Sequence, residues 1–244
     1  MKYIVWAAVG LLLAAAVLWW RAPVLTGPLT KQTLYVALID ALSKHDADVA
    51  RCLWIDDDGG EGVFTVKRLC DELHVKATFA VCPARLSDLV ADSLAVWQQE
   101  GFGVALHGLN HESWRDWSET MIKNDLQESR RVLARRGIDT LRLRTFIVPP
   151  HASNTSAVRR VVKEAGCKMV TGAHVVNPDS SMQQWGRLWV TSDTDMERLR
   201  SVLERAYRQR GFVIIGTHSS ATGEFSAEKM RTVIRITRQL GYEW

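Results

Sequence analysis

Histidine and aspartate residues capable of metal binding and acid–base chemistry follow three apolar segments of the chain. They are the aspartate run at 56–58, the pair His107 and His111, and the single His218. Each group stands at or just after a segment typical of a buried β-strand, and parallel α/β folds carry catalytic side chains at the carboxyl ends of such strands. One or two carboxylates and up to three imidazoles suffice for an open divalent-metal site beside an acid–base pair.

Taken singly, each of these groups also has a structural explanation. The adjacent carboxylates at 56–58 repel one another unless a cation or hydrogen bonds compensate, but an acidic loop has the same composition. The spacing of His107 and His111 lets two imidazoles face one metal from a helical turn, yet such a pair is weak evidence alone. A lone histidine such as His218 is more often structural. Their occurrence at three predicted strand ends favours a shared site.

Strands and helices alternate along the part of the chain that must position these groups. Strands are predicted at 50–55, 77–81, 102–106, 145–148, 168–171, 189–191 and 212–215. Helices are predicted at 64–73, 87–100, 119–136, 156–165, 195–209 and 226–240. This alternation indicates an α/β fold with a parallel sheet. About seven strand units favour a distorted (β/α) barrel, preceded by an N-terminal hydrophobic helix.

The N-terminus carries a hydrophobic segment of its own. Lys2 precedes an uncharged stretch at 3–20 that ends in two tryptophans and is followed by Arg21. The length of this stretch is at the lower edge of a membrane span. We predict a signal-anchor at 1–21, with a cleaved signal peptide as the alternative because alanines at 14–16 offer a small-residue site. Residues 22–47 are then a linker and helix, and residues 48–244 an exported catalytic domain, which is membrane-anchored or, after cleavage, secreted.

Charge and cysteine content are less specific. The net charge of +4 and pI near 9.0 come without a nucleic-acid-binding motif, so no nucleic acid partner is expected. The four cysteines show no C-x-x-C pair, and packing is their expected role. A disulfide between Cys52 and Cys82, on adjacent predicted strands, is the alternative.

The order of these motifs resembles the polysaccharide deacetylases of carbohydrate esterase family 4, which share the NodB-homology domain. An Asp-Asp-Gly turn at 57–59 is followed about 20 residues later by a Lys-Ala-Thr-Phe strand at 76–79. A glycine-containing turn leads to the His-x-x-x-His motif at 107–111, and a late strand ends in His218. The resemblance covers residues 48–244.

The resemblance implies a metal-dependent hydrolase that removes N-acetyl groups from an amino-sugar polysaccharide or a cell-envelope glycan. Asp57 would be the general base and His218 the general acid. Asp58, His107 and His111 would bind the metal. Zn²⁺ is the expected ion for this ligand set, with Co²⁺, Ni²⁺ or Mn²⁺ as alternatives.

The extra carboxylate of Asp56 leaves a second register open, in which Asp56 is the base and Asp57 the ligand. In the family a glycine directly follows the second aspartate. Since Gly59 follows Asp58, the register of Asp57 and Asp58 is preferred.

The chain departs from the family at its third motif, which usually contains an arginine and a tyrosine around proline. Here residues 148–151 read Val-Pro-Pro-His. Pro150 and His151 are predicted to contact substrate, His151 at a position that lines the oxyanion region in the family. Arg142 or Arg144 is predicted to replace the arginine that orients the catalytic aspartate.

The fourth motif, an aspartate with a nearby tryptophan that tunes the acid histidine, has no clear match. The candidates are Asp179, Trp185, Trp189 and Asp193. Trp114 and Trp117 are candidates for stacking on a sugar ring or for core packing. These departures keep two other functions open: a metal-dependent amidase or esterase with a small or lipid-linked substrate, and a non-catalytic glycan-binding protein.

Overall fold

The computed structural model describes residues 50–149, 153–172, 176–177 and 183–244, which form strands flanked by helices. The strands are β1 Arg51–Asp56, β2 Ala77–Val81, β3 Gly103–Leu106, β4 Thr145–Ile147, β5 Lys168–Thr171, β6 Val176–Asn177, β7 Gln184–Gly186, β8 Leu188–Trp189 and β9 Phe212–Thr217. The helices are α1 Val63–Leu73, α2 Asp88–Gln99, α3 Glu119–Arg135, α4 Ser156–Glu164, α5 Met196–Arg208 and α6 Ala227–Leu240. Short 3₁₀ turns lie at Pro83–Arg85 and Thr140–Arg142.

The strands form one sheet that curls into a nearly closed α/β barrel. Parallel pairing runs in the order β9-β1-β2-β3-β4-β5-β7. Strands β7 and β8 are separated only by Arg187, and they pair with β5 and β9 respectively. This short segment therefore joins the two ends of the sheet. The predicted distorted barrel is confirmed, while the predicted N-terminal hydrophobic helix lies outside the described residues.

Side chains alternate between the barrel interior and the surrounding helices, as the two-residue period of a strand requires. A small interior layer takes one residue from each of six strands: Ile55, Ala80, Ala105, Ile147, Val170 and Ile214. The larger core, which includes Trp54, Phe79 and Phe146, lies between strands and helices. Since Asp57 and His107 stand two residues beyond Ile55 and Ala105, the same alternation directs them into the mouth of the barrel.

The predicted helices and strands agree with the structure to within a few residues at their ends, apart from β6 and β7, which were not predicted. Helices α2 to α6 begin after a serine, threonine or aspartate whose side chain accepts a backbone N–H of the first turn, as N-cap residues do. All four cysteines are buried and free, so the alternative of a Cys52–Cys82 disulfide was wrong.

Among the described residues, no helix is both long and apolar enough to cross a membrane. The predicted signal-anchor at 1–21 and the predicted linker and helix at 22–47 lie outside this part of the chain.

Candidate active site and metal centre

An open cleft of about 240 Å³ lies at the carboxyl ends of the strands. Its lining residues are Asp57, Asp58, His107, His111, Val148, Arg187, Trp189, Thr191, His218 and Glu224. The cleft therefore contains all five side chains predicted as metal ligands, base and acid. The two predicted substrate contacts, Pro150 and His151, lie outside the described residues.

Three of these side chains form a group able to hold a metal ion. One ligand atom each from Asp58, His107 and His111 lies within 4.8 Å of the others. Oδ1 of Asp58 is 3.3 Å from Nε2 of His107 and 3.4 Å from Nε2 of His111. A carboxylate and two imidazoles with an open side are the donor set of many catalytic metal sites.

The hydrogen bond at Nδ1 of His107, which sets the tautomer of the ring, supports this use of the site. Its Nδ1 lies 2.9 Å from the carbonyl oxygen of Ile147, and a carbonyl can only accept, so Nδ1 carries the proton. Nε2 then presents its lone pair to the cleft, the arrangement that outer hydrogen bonds impose on metal-ligating histidines. Oδ1 of Asp58 is buried without a hydrogen-bond donor, which is costly for a carboxylate unless a cation compensates. The residues present therefore fit a divalent ion.

Two of the three candidate ligands have left-handed backbone conformations. Asp58 has φ 78° and His111 has φ 57°, values that cost energy for residues with a side chain and that occur preferentially at functional sites. Gly59 continues the first turn with φ 72°, and a Cβ at this position would lie 2.7 Å from Cγ1 of Val81. The expectation that a helical turn presents His107 and His111 was wrong, because both lie in the loop between β3 and α3.

The predicted base, Asp57, is oriented by an arginine that sequence reasoning missed. Nη1 of Arg187 donates to Oδ1 of Asp57 at 2.8 Å, and both side chains are buried. The Arg187 guanidinium also lies 4.2 Å from the ring centroid of Trp189, a cation–π distance. The only available signal was an arginine standing between Trp185 and Trp189 in a short strand segment.

The expectation that Arg142 or Arg144 orients the aspartate was wrong. Arg142 donates to the carbonyl oxygen of Gln98, and Arg144 donates to that of Leu141. Both residues precede β4, at the opposite end of the strand from the cleft. Because they lie at the opposite end of β4 from the cleft, neither arginine can reach Asp57.

The predicted acid, His218, is held between two carboxylates. Its Nε2 lies 2.6 Å from Oδ2 of Asp58, and its Nδ1 lies 3.1 Å from Oε2 of Glu224. The hydrogen bond with Asp58 is the main cause that raises the pKa of His218 to about 9. Burial alone would raise the pKa of Asp58, but its close contacts with the imidazoles of His107 and His218 outweigh burial and lower the pKa below the usual range.

One of the four candidates for the fourth motif lies beside the acid. The ring of Trp189 is 6.3 Å from the ring of His218. Trp185 instead packs edge-on against Phe212, Asp193 is exposed, and Asp179 lies outside the described residues. Glu224, in the loop after β9, supplies the carboxylate beside His218, and nothing in its sequence context identified it.

Asp56 does not line the cleft. Its side chain is fully buried and accepts hydrogen bonds from Thr217 and Ser219. Burial is the largest influence on this carboxyl and raises its pKa to about 6. Of the three consecutive aspartates, only Asp57 and Asp58 reach the cleft.

The tryptophans after the histidine pair are packing residues. Trp114 is fully buried and stacks on Phe146 at 4.8 Å and on Trp117 at 5.8 Å between ring centroids. Neither tryptophan lines the cleft, so of the two interpretations the structure supports core packing.

Comparison with known proteins gives a family match. Residues 26–170, more than half of the chain, match the family described as polysaccharide deacetylase. No curated protein sequence matches the chain.

Solved structures show the same fold at low sequence identity. A family 4 acetyl xylan esterase from Clostridium thermocellum, in complex with a cobalt ion, is 19% identical with a TM-score of 0.60, over 79% of this chain and 85% of that one. The Xyl-CE4 domain of a xylanase from the hindgut metagenome of Trinervitermes trinervoides is 14% identical with a TM-score of 0.59, over 80% and 86%. A CE4 family pseudoenzyme from Bacillus anthracis is 16% identical with a TM-score of 0.57, over 81% and 63%.

The family match extends over β1 to β5, which carry Asp57, Asp58, His107 and His111, and the solved neighbours share the barrel that brings His218 to the same cleft. The chain belongs to the polysaccharide deacetylase family, carbohydrate esterase family 4.

Proposed function

We propose that this protein is a metal-dependent hydrolase that removes N-acetyl groups from an amino-sugar polysaccharide or cell-envelope glycan. The observation that carries the proposal is the meeting of Asp58, His107 and His111 with Asp57 and His218 in one open cleft. Family membership supports the reaction class, and the openness of the cleft suits a chain-like substrate.

In this proposal Asp58, His107 and His111 hold the divalent ion. Zn²⁺ is favoured by two imidazoles and one carboxylate, with Co²⁺, Ni²⁺ or Mn²⁺ as alternatives. The Clostridium thermocellum neighbour is in complex with a cobalt ion, which supports a divalent metal as the cofactor of this chain. Such an ion supplies Lewis acidity, which polarises an acyl carbonyl and lowers the pKa of a water molecule.

Asp57 takes the proton from the attacking water. Arg187 holds Oδ1 of Asp57 at 2.8 Å, so Oδ2 is left to face Nε2 of His107 at 3.8 Å and the cleft. A base fixed in this way loses little orientational freedom when the reaction begins.

His218 delivers a proton from Nε2 to the departing amine. Glu224 holds Nδ1 at 3.1 Å, so the other ring nitrogen faces the cleft and Asp58. Amide hydrolysis needs this proton, because the amine would otherwise have to leave as an anion, which is a very poor leaving group. General acids contribute about 10²–10⁴-fold to such steps.

Two other functions are outcomes of the test. One is hydrolysis of an amide or ester in a small or lipid-linked substrate, and the other is glycan binding without turnover. The pseudoenzyme among the solved neighbours makes the second a necessary comparison, since the fold alone does not ensure activity. The presence of Asp57 and His218 in the same cleft as the ligands favours catalysis.

We further propose that residues 1–21 anchor the protein in a membrane and that the catalytic domain is exported. An exported enzyme would meet periplasmic or extracellular glycans directly. Fractionation of cells that produce the full chain, with protease accessibility of the domain on intact cells or spheroplasts, tests this. A soluble domain that stays protected from protease in spheroplasts contradicts it.

The function is tested by acetate release from N-acetylated glycan oligomers. The full chain in detergent is assayed with added zinc or cobalt and after chelation, together with Asp57→Asn, His107→Ala and the control His74→Ala, whose histidine lies at the end of α1. We expect metal-dependent release that the first two substitutions abolish and the control retains.

Bound metal is counted on the same samples. The protein could bind metal through His107 and hydrolyse lipid-linked or small amides, yet release no acetate from any oligomer. This result would show that its substrates are those amides and not glycan polymers. Metal and glycan binding without any turnover would establish the binding role instead.

A further inference from the structure

Asp56 takes no part in the proposed chemistry, although its carboxylate is fully buried beside the base. Oδ1 accepts the Thr217 hydroxyl at 2.6 Å and the backbone N–H of Ser219 at 2.9 Å. Oδ2 accepts the hydroxyl of Ser219. A buried carboxylate is expensive without such donors, and an apolar side chain would fill a packing position at lower cost. The carboxylate therefore calls for an explanation other than packing.

The three donors flank His218. Thr217 and Ser219 are its two sequence neighbours, and Asp56 is bonded to both. Strand register brings this about, because Asp56 pairs with Thr217 between β1 and β9. The Thr217 hydroxyl in turn accepts the indole N–H of Trp54 at 2.7 Å, so the donors and acceptors form an ordered buried chain.

The segment after His218 has no strand pairing to hold it in place, since β9 ends at Thr217. It packs instead on the turn after β1. The N–H of Gly60 donates to Oγ of Ser220 at 2.9 Å, and a Cβ at Gly62 would lie 2.2 Å from the carbonyl oxygen of Ser219. The two loops thus meet without space between them, and Asp56 accepts three hydrogen bonds from the residues on either side of His218.

We propose that Asp56 is a positioning residue that fixes the chain on both sides of His218 and so holds the imidazole where it protonates the leaving group. The inference rests on the proposed function, because it assigns Asp56 to the acid of that reaction. It also accounts for the extra aspartate of the run. Asp58 serves as a metal ligand and Asp57 as the base, while Asp56 supports the acid.

The test uses two substrates that differ in their need for an acid. An N-acetylated oligosaccharide releases an amine that must be protonated, whereas 4-nitrophenyl acetate releases a stable phenolate. For Asp56→Ala we expect kcat on the oligosaccharide to fall about 10–100-fold, the range for lost outer hydrogen bonds. The rate on the aryl ester and the affinity for zinc should change by less than about threefold, since Asp57 and the ligands stay in place.

Two companion variants separate positioning from folding. Asp56→Asn keeps one carbonyl acceptor and should lose less than Asp56→Ala. Asp125→Ala is the matched control, because Asp125 is another buried carboxylate that accepts a loop N–H, from Leu109, but it does not contact the His218 loop. Its loss should lower the rates on both substrates together.

A readout without turnover completes the test. In the metal-free protein, the ring C–H signal of His218, assigned with His218→Gln, should shift in Asp56→Ala while the signals of His107 and His111 stay. Equal losses on both substrates, or an unmoved His218 signal, would overturn the inference while leaving the proposed function intact. A wild-type protein that neither binds zinc nor hydrolyses either substrate would overturn both.

Discussion

The cleft has two walls with different construction. The ligand wall, Asp58, His107 and His111, comes from the ends of two strands and lies within two local motifs. The closing wall, Arg187, Trp189, His218 and Glu224, comes from the β7–β8 segment that closes the barrel and from the end of β9 and its following loop. Its contacts with the aspartates join residues 130 and 160 positions apart in sequence.

This difference separates two tasks. The ligand wall can be preorganised by short loops and outer hydrogen bonds such as the one from His107 to Ile147. The closing wall orients the base and the acid, and it does so only when the barrel closes. We therefore expect substitutions on the ligand wall to change metal binding, and substitutions on the closing wall to change turnover at constant metal affinity.

The largest effect is expected on the ligand wall. His107→Ala removes one of three candidate ligands, and its loss should lower zinc affinity by more than about 100-fold, beyond the range of outer-shell changes. Competition titration with a chromogenic chelator measures the affinity. A variant that binds zinc as tightly as the wild type would contradict the assignment of the ligand wall.

The next effect contrasts two arginines. Arg187→Met leaves Asp57 buried without its partner, so we expect a loss of about 3–5 kcal/mol in unfolding free energy and a fall in kcat of about 10–100-fold by analogy with outer-shell positioning. Arg142→Met is the control, because Arg142 bonds to Gln98 away from the cleft. Urea unfolding and steady-state kinetics measure both. Equal kcat losses in the two variants would remove Arg187 from its role.

A smaller effect is expected at the rim of the closing wall. Glu224→Gln removes the carboxylate that faces Nδ1 of His218, but Glu224 is half exposed and solvent screens the pair. Exposed ion pairs contribute little, so kcat on the oligosaccharide should fall by less than about tenfold, with unchanged zinc affinity and unfolding free energy. A loss as large as that of His218→Gln would show that the acid depends on Glu224 much more than its exposure indicates.

The last effect is on stability rather than turnover; it concerns the support of the ligand wall and depends on pH. Asp125 on α3 accepts the N–H of Leu109, between the two histidines, at 2.9 Å, and burial raises its pKa to about 6. Because this value exceeds that of an unfolded aspartate, about 3.9, the folded state binds the proton more tightly. The stabilisation that the Asp125 carboxyl contributes to the fold is therefore complete below about pH 4 and is lost as the pH rises through about 6.

We expect the unfolding free energy of the wild type relative to Asp125→Asn to fall by at most about 3 kcal/mol between pH 4 and pH 7. Urea unfolding of the metal-free proteins at half-unit pH steps measures the difference, in which groups common to both proteins cancel. A difference that does not vary with pH would contradict the raised pKa.

The barrel could be predicted because its signals are local. Apolar runs such as Ala77–Val81 and Lys168–Thr171 carry strand composition, and capping residues such as Ser118 and Ser226 mark helix starts. Strands β6 and β7 were missed because segments of two and three residues carry no periodicity. Their pairing depends on neighbours that only the closed sheet provides.

In the candidate site, too, the features that depend on short segments could be predicted and the long-range partners could not. The meeting of the aspartates at 57–58 with His107 and His111 follows from their positions just after strand ends. The backbone that presents the histidines is nevertheless a strained loop and not a helix. The partners of Asp57 and His218 did not follow. Arg142 and Arg144 stand close in sequence to the altered third motif at 148–151, but they lie before β4. Arg187 stands farther from that motif in sequence and lies beside Asp57.

Local sequence patterns were enough to predict most of the strands and helices, the family, and the five side chains that meet in the cleft, because strand alternation and motif spacing are properties of short segments. The folded molecule was needed to show that Asp56 turns away from the cleft to bond Thr217 and Ser219, and that Arg187 and Glu224 complete the closing wall. These partners meet through barrel closure and strand register, which depend on residues far apart in the chain.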